Sequence, residues 1–545
     1  MKLGGNVDMK SIRIKGLRAI DDSGDIELTR CNIFIGANGT GKSTILRTFP
    51  LFKQTCIKRT NAPILWYDQE GVDLGSFNES INQKSNDGKM AFTFGLHKLL
   101  DIDPLDLIER NYLLTKYKKT NRKKLNEYIF AKVLSKDSVN FPVNVNSVGF
   151  SIENDKFSEV SVRIDDNEVI FKSGYGLIVN GTKYLLKSLN LLNSTYSILP
   201  SLFKNNTEGA NSVKNYLFDK LIKLLNFPID SNSENSLYNL VDILQCIQYK
   251  TDSNLFKKHL MECEFFKNTS EKLNYLKIYN IYISLLAFTI LNDLDDLTTK
   301  YFKNTIYIAP LRATAERFYR IQGISIDEVN STGNNIPMLL NAISKKENDL
   351  LASWNKFTED NFGIRYFTED NGSNISLKIQ LNNGVFNLAD TGFGYSQILP
   401  ILMAIWQESI SKTISNFFKN NNSIEARLLS EKFQIYKNYS EQRTIIIEQP
   451  ELHLHPKMQS QFAKLIFKCI KELNNINFII ETHSKQIIET LGYLIDSEKE
   501  KSYRKQFNIY LVNDIKDNSS QKIIKTNFDD NGIILEWPIG FMDGY

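Results

Sequence analysis

The sequence predicts an α/β protein built around a phosphate loop, with a β-rich lobe and a helical insertion. Three observations carry this. A glycine-rich stretch, Gly36-Ala37-Asn38-Gly39-Thr40-Gly41-Lys42-Ser43, lies between apolar Ile33, Phe34, Ile35 and apolar Ile45, Leu46, the pattern of strand, loop and helix. Far downstream a second β-run, Thr444-Ile445-Ile446-Ile447, ends in Glu448. Between them, β-type alternation over 90–179 gives way to helical spacing over 211–300 and then to mixed strands and helices.

The first part, residues 1–205, holds the loop. Short β-runs Ile12-Arg13-Ile14 and Ile26-Glu27-Leu28 lead into it and are expected to open the nucleotide-binding sheet. Three glycines let the backbone turn tightly, so successive amides and the N-terminus of a helix running to about Phe52 converge on nucleotide phosphates. Lys42 is expected to reach the β- and γ-phosphates and Ser43 to hold Mg2+; Gly36, Ala37, Asn38, Gly39, Thr40, Gly41 and Thr44 complete the cradle. A bland glycine-rich turn is the alternative, disfavoured by the β-run before it and the helix formers after it. Alternating segments at 142–152, 159–164 and 169–172 are expected as a β-rich lobe beside the loop. The dense basic run Lys116-Tyr117-Lys118-Lys119-Thr120-Asn121-Arg122-Lys123-Lys124 is either a DNA contact or a solvated face.

The second part, 206–302, carries one apolar stripe at Tyr216, Leu217, Leu221, Leu224 and Leu225 and another over 273–294. It is too irregular in heptads for a long coiled-coil arm and is expected as a lid or short arm. The third part, 303–545, returns to strand at Thr305-Ile306-Tyr307-Ile308-Ala309-Pro310 and then alternates helices with strands; a polar, Asn-rich excursion over 411–442 interrupts it. Glu448 closes its main β-run. An acid at the C-terminal end of a parallel strand near a phosphate loop is placed to hold Mg2+ through water; a solvated strand end is the alternative. Three of the five histidines, His453, His455 and His483, follow in the same region. His453 and His455 share one face at i, i+2, but no third ligand is near in sequence, which disfavours zinc.

Composition limits the function classes. With 545 residues, 42% hydrophobic and 23% charged, the chain has the make-up of a globular protein of two or three domains. A net charge of +4 is too small for a polycation, so a nucleic-acid surface has to be local. Five widely spaced cysteines form no CxxC pair, which points to reduced thiols rather than zinc or redox chemistry. No apolar run has signal-peptide character or the roughly 18 residues of a membrane span. A cytoplasmic protein with no membrane partner is expected.

Taken together, these elements resemble an ABC-type P-loop ATPase head of the SMC-like group, in which widely separated halves of one chain build one head. The resemblance implies ATP with Mg2+, head-to-tail dimers or higher even oligomers, and a γ-phosphate contact from His483. It also implies a signature turn that caps the partner subunit's nucleotide, matched here by Asp390-Thr391-Gly392-Phe393-Gly394-Tyr395-Ser396-Gln397 before a helix over 398–406. Gly392, Gly394, Ser396 and Gln397 are its binding residues, at what is again a helix N-terminus suited to anions. More narrowly, 392–400, 448–456, Ile308-Ala309-Pro310-Leu311-Arg312 with Arg317-Phe318-Tyr319, and Trp537-Pro538-Ile539-Gly540-Phe541 resemble AAA-family ATPases of bacterial antiphage defence operons. These are related to OLD-type enzymes and include the Septu ATPase, which works with an HNH nuclease and sometimes with a retron. A DNA or retron RNA–DNA partner is implied in the same way.

The pattern departs from the group at Gln449, where a water-polarising glutamate is usual. An amide cannot act as general base but can orient water, so slow hydrolysis is expected. Glu451 is a second candidate if Pro450 turns it back toward the phosphates; a structural or subunit-contact role is the alternative. The nearest Q-loop equivalent, Leu74-Gly75-Ser76-Phe77-Asn78, has no glutamine well placed. Arg312 and Arg317 are expected on a turn, facing phosphate, DNA or a surface ion pair. No DxD cluster follows His483, and His97 and His259 are isolated, so any nuclease is expected in a partner. The function read from the sequence is therefore an ATP-binding, ATP-hydrolysing subunit of an antiphage complex that regulates an effector nuclease. A nucleotide-locked scaffold and a DNA-repair or chromosome-maintenance ATPase are the alternatives.

Overall fold

The computed structural model describes residues 9–84, 88–102, 141–193, 195–204, 211–226, 243, 251–263, 266, 273–322, 328–346, 348–420, 442–498, 501–513, 523–529 and 531–534. The chain begins with β1 (Ser11–Leu17), β2 (Ile20–Asp22), β3 (Ile26–Glu27) and β4 (Cys31–Gly36), followed by α1 (Lys42–Ile57) and the short α2 (Phe77–Ser80). Burial separates these strands. In β1, Ile12 and Ile14 point inward while Ser11, Arg13 and Lys15 stay partly or fully exposed, whereas β4 is buried at every position. Alternation suits a sheet with one wet face, and continuous burial suits a parallel sheet covered on both faces. Accordingly β1, β2 and β3 do not open the nucleotide sheet, as the sequence reading expected; they join an antiparallel one.

That antiparallel sheet continues through β5 (Lys89–Ile102), β6 (Phe141–Glu153), β7 (Lys156–Ile164), β8 (Asn167–Lys172), β9 (Gly174–Val179), β10 (Thr182–Leu192) and β11 (Ser201–Lys204). Its order is β11-β10-β9-β8-β7-β6-β5-β1-β2, with β3 beside β1. Asn154 and Asp155, both at positive φ, turn β6 into β7, and Asn180-Gly181 turns β9 into β10, the conformation that two-residue hairpins require. The expected β-lobe is thus a meander continuous with the N-terminal strands.

Helices α3 (Asn211–Leu224), α4 (Ser253–Glu262) and α5 (Tyr275–Lys303) follow. Leu217, Leu221 and Leu225 are buried as their stripe predicted. In α5 every residue from Ile278 to Ala287 is buried, and a helix apolar on all sides belongs in a core. It lies on the antiparallel sheet together with α1: Phe302 of α5 is 4.8 Å from Phe52 of α1 and 5.2 Å from Phe94 of β5. Over 275–303 the expected lid or arm is therefore a core helix. It wedges the phosphate-loop helix against the sheet.

The remaining elements are β12 (Thr305–Ile308), β13 (Tyr319–Arg320), α6 (Ile336–Lys346), α7 (Asn348–Phe362), β14 (Arg365–Asp370), β15 (Asn374–Leu381), β16 (Gly384–Asn387), α8 (Phe393–Asn420), β17 (Arg443–Glu448), α9 (Pro456–Glu472), β18 (Ile476–Glu481), α10 (Lys485–Ser497), β19 (Phe507–Val512) and β20 (Ile523–Thr526). A six-stranded sheet runs β12-β17-β18-β4-β19-β20, parallel throughout except for β20. Strand β18 is inserted between β17 and β4. The strand ending in Glu481 is therefore next to the phosphate-loop strand, and the strand ending in Glu448 is one further away. Strands β13 to β16 form a separate small sheet. The basic run at 116–124, most of the polar excursion (421–441) and the motif at 537–541 lie outside the described residues. Among the described residues no helix is long and apolar enough to cross a membrane.

Candidate functional site

The loop after β4 has the backbone that its glycines permit. Gly36, Gly39 and Gly41 have φ of 146°, 77° and 103°, values that strain any side chain. At Gly36 a Cβ would also sit 2.3 Å from the Val512 carbonyl oxygen of β19. Lys42 is folded into the loop it follows: its Nζ donates to the carbonyls of Gly36 at 3.0 Å and Ala37 at 2.6 Å and lies 4.0 Å from Glu481. Thr40 donates to Ala37 O at 3.0 Å. Thr44 is buried, and its carbonyl accepts from the Thr48 hydroxyl. Burial lowers the Lys42 pKa, with Glu481 and Glu451 opposing the shift. A cation held by two carbonyls is poised to exchange them for phosphate oxygens.

Two carboxylates face each other at the strand ends, since Glu448 of β17 pairs in register with Glu481 of β18. The Ser43 hydroxyl reaches Glu481, at 2.8 and 3.1 Å from its two oxygens. Glu448 is held elsewhere. Arg47 grips it in bidentate fashion at 2.9 and 2.8 Å, and the Tyr307 hydroxyl donates to it at 2.8 Å. Burial first, and the charge of Glu448 second, push the Glu481 carboxyl up to about 7. The bond to Glu448 raises the Arg47 pKa, and burial raises that of Tyr307. A hydroxyl beside a buried carboxylate, next to a phosphate cradle, fits a hard divalent cation such as Mg2+. The sequence reading missed Glu481, Arg47 and Tyr307. The run Phe478-Ile479-Ile480-Glu481 repeats the pattern of Ile445-Ile446-Ile447-Glu448 and was the available signal.

Beyond β17 the chain turns sharply. Gln449 has φ 45°; its N–H donates to Glu481 O at 2.8 Å, and its carbonyl accepts from Arg312 at 2.7 Å. Past Pro450 the Glu451 carboxylate accepts from the Thr482 hydroxyl at 2.8 Å and the His483 N–H at 2.7 Å. The turn therefore brings Glu451 back to the site, where it fixes the backbone carrying His483. Burial raises the Glu451 pKa. Burial and, after it, the charge of Lys42 lower that of His483.

Arg312 does not face phosphate, DNA or a surface ion pair. It is 5% exposed, and its guanidinium donates to the carbonyls of Ala309, Gln397, Glu448 and Gln449. Burial brings its pKa down to about 10. It ties the end of β12, the start of α8 and the turn after β17 into one unit. Arg317 is exposed and pairs with Asp390.

The signature segment begins α8 at Phe393, earlier than the helix expected over 398–406. At Gly394 a Cβ would lie 2.7 Å from His453 O, and the Phe393 and His453 rings meet edge to face with centroids 4.8 Å apart. Ser396 and Gln397 are buried. The Ser396 hydroxyl donates to Phe393 O at 2.8 Å, and the Gln397 amide to Arg312 O at 3.3 Å. Gly392 has open space where a side chain would stand. His455 caps α9, its Nδ1 accepting from the Lys457 N–H. In the Q-loop candidate, Ser76 and Glu79 form a capping box on α2.

A family model described as an AAA ATPase domain matches residues 9–488. Among solved structures the chain is similar to three Smc heads. The Pyrococcus furiosus Smc head domain, with an extended coiled coil and bound to the C-terminal domain of ScpA, is 10% identical over 95% of this chain and 96% of that one, with a TM-score of 0.33. The SMC head domain from Thermotoga maritima is 9% identical over 92% and 95%, at 0.31. An Smc head bound to the C-winged helix domain of ScpA is 10% identical over 96% and 98%, at 0.30. No curated protein matches the chain in sequence.

Proposed function

Because the chain belongs to the AAA ATPase domain family, we propose that this ATP-binding ATPase hydrolyses Mg·ATP slowly and acts as the nucleotide-dependent subunit of a bacterial antiphage defence complex. In that role it pairs head to tail with a second copy and controls a partner nuclease of HNH type. The observation that carries the catalytic part is the convergence of Lys42, Ser43, Glu448, Gln449, Glu451, Glu481 and His483 at neighbouring strand ends of one parallel sheet. The defence part rests on the resemblance of 308–312 with 317–319, 392–400, 448–456 and 537–541 to ATPases of such operons.

In this reading Lys42 leaves the Gly36 and Ala37 carbonyls for the β- and γ-phosphates, and the amides of 39–43 complete the cradle. Ser43 and the strand-end carboxylates hold Mg2+, which when bound neutralises charge on the β- and γ-oxygens. Gln449 orients water. Glu451 positions His483 toward the γ-phosphate by fixing its main chain, and Gly392, Gly394, Ser396 and Gln397 present the start of α8 to the partner's nucleotide.

Purified chain is assayed for ATP binding and phosphate release, with Lys42→Ala as the blank. Removing a charged donor to phosphate is expected to weaken ATP binding about 10- to 100-fold. Equal affinity in Lys42→Ala would sink the reading. Gln449 favours one alternative: ATP retained with release at the blank level would make the chain a nucleotide-locked scaffold.

A further inference from the structure

Resting on the nucleotide reading above, we propose that Arg47 and Tyr307 are positioning residues for the cation: they fix the Glu448 carboxylate in one orientation and tie it to the helix that carries Ser43. The acceptor count is the first reason. A carboxylate offers about four lone-pair positions. Oε1 of Glu448 accepts from Arg47 Nε at 2.9 Å and from the Tyr307 hydroxyl at 2.8 Å, and Oε2 accepts from Arg47 Nη2 at 2.8 Å. These three donors leave the carboxylate one acceptor position, on Oε2. Glu448 therefore serves the cation from a single direction, through water, and cannot turn without breaking all three bonds.

The place of Arg47 is the second reason. It follows Ser43 by one turn on α1, so the two side chains leave the same face of one helix. Tyr307 braces the carboxylate from β12, the strand paired with β17. Although 401 positions separate Arg47 from Glu448, a shift of α1 carries Ser43 and Glu448 together. The two groups that meet the cation are thus registered to one rigid element.

Stability does not account for the pair, which is the third reason. Glu448 is 1% exposed, and the desolvation of a buried ion pair commonly offsets its attraction. What the guanidinium adds is geometry. Two parallel bonds fix the plane of the carboxylate, where a lysine would supply only a point charge. Side chains that orient a metal-serving group without touching the metal act in this way.

The test titrates Mn2+ into the chain with a non-hydrolysable ATP analogue and reads bound metal by electron paramagnetic resonance. Arg47→Lys, which keeps the charge and loses the fork, and Glu448→Gln are each expected to weaken Mn2+ about 10- to 100-fold. Tyr307→Phe is expected to weaken it about three- to tenfold. Adding Arg47→Lys to Glu448→Gln is expected to change affinity less than about threefold further, because Arg47 acts through Glu448. Analogue binding in EDTA stays near that of the parent, a separation that a merely structural role would not give; if Arg47→Lys fails that check, Tyr307→Phe carries the test. Unchanged Mn2+ affinity in Arg47→Lys and Tyr307→Phe, an undiminished Arg47→Lys effect in the Glu448→Gln background, or loss of analogue binding in both single variants overturns the proposal while the nucleotide reading stands. An unmodified chain that binds no analogue overturns the nucleotide reading itself, and this proposal with it.

Discussion

Gln449, which the proposed function makes the water-orienting residue, has its backbone pinned from both sides, by Glu481 O at its N–H and by Arg312 at its carbonyl. Its left-handed φ is uncommon for a residue with a side chain, so those bonds rather than local preference aim the residue. A carboxylate grafted onto this backbone inherits the same aim. Gln449→Glu is therefore expected to raise phosphate release by about tenfold or more, measured against the Lys42→Ala blank; an unchanged rate would leave Gln449 without a part in activating water. Arg312 is different in kind, since it meets only carbonyls. Arg312→Met removes the shared donor of four carbonyls, two of them in buried bonds, and is expected to cost about 2–4 kcal/mol in urea unfolding, where a surface arginine would cost almost nothing. The loop residues were legible because GxxxxGKS states its own geometry. Arg312, Arg47 and Glu481 were not, because their partners lie on other elements, Arg47 and Glu448 being 401 positions apart.

Helix α5 shows what an element adds. Asp295, on its buried side, accepts from the Ser197 hydroxyl and the N–H groups of Ile198 and Leu199, fastening the segment before β11 to the helix. Burial, assisted by neighbouring Asp296, pushes its carboxyl up despite those bonds. A carboxyl whose folded pKa exceeds its unfolded value binds more protons when folded, so its contribution is full at low pH and fades as pH rises through the raised value. Asparagine keeps an acceptor for the two N–H groups and carries no charge. Asp295→Asn is thus expected to match or exceed the parent in stability at pH 7 and to lose ground to it on acidification, as followed by denaturant midpoints at several pH values. A parent that instead gains on the variant as pH rises would refute the account. The helix itself was legible from its apolar spacing, but its place was not. Burial of every residue of 278–287, Asn280 and Ser284 included, marks it as a core helix, whereas apolar spacing alone suggested a lid. The assignment of β1 went astray for the converse reason, since alternating and continuous burial look alike in a run of three residues.

At the scale of the whole molecule, the site exists because β4 near one end of the chain pairs with β18 and β19 near the other. No local pattern states that pairing; only the order of the motifs hinted that both halves build one sheet. Completion by a second copy remains a proposal, and the structure changes how it has to be tested. Ser396 is 7% exposed with its hydroxyl turned into its own helix, so Ser396→Arg would disturb the fold and the interface together. Phe393, one turn earlier, is 45% exposed, and Leu311 and Phe318 on the bordering segment are 77% and 53% exposed. Contiguous apolar patches mark interaction surfaces, whereas single exposed apolar residues are ordinary, so the start of α8 is tested at Phe393 itself. Phe393→Glu gives up a ring contact with His453 and puts a charge where a partner would have to bury it. With a non-hydrolysable ATP analogue, light scattering is expected to give twice the chain mass for the parent and a single chain for Phe393→Glu. Analogue binding should be preserved in the variant. A parent that stays single with nucleotide bound would remove head-to-tail pairing from the mechanism, while a variant that still pairs would move the interface away from the start of α8.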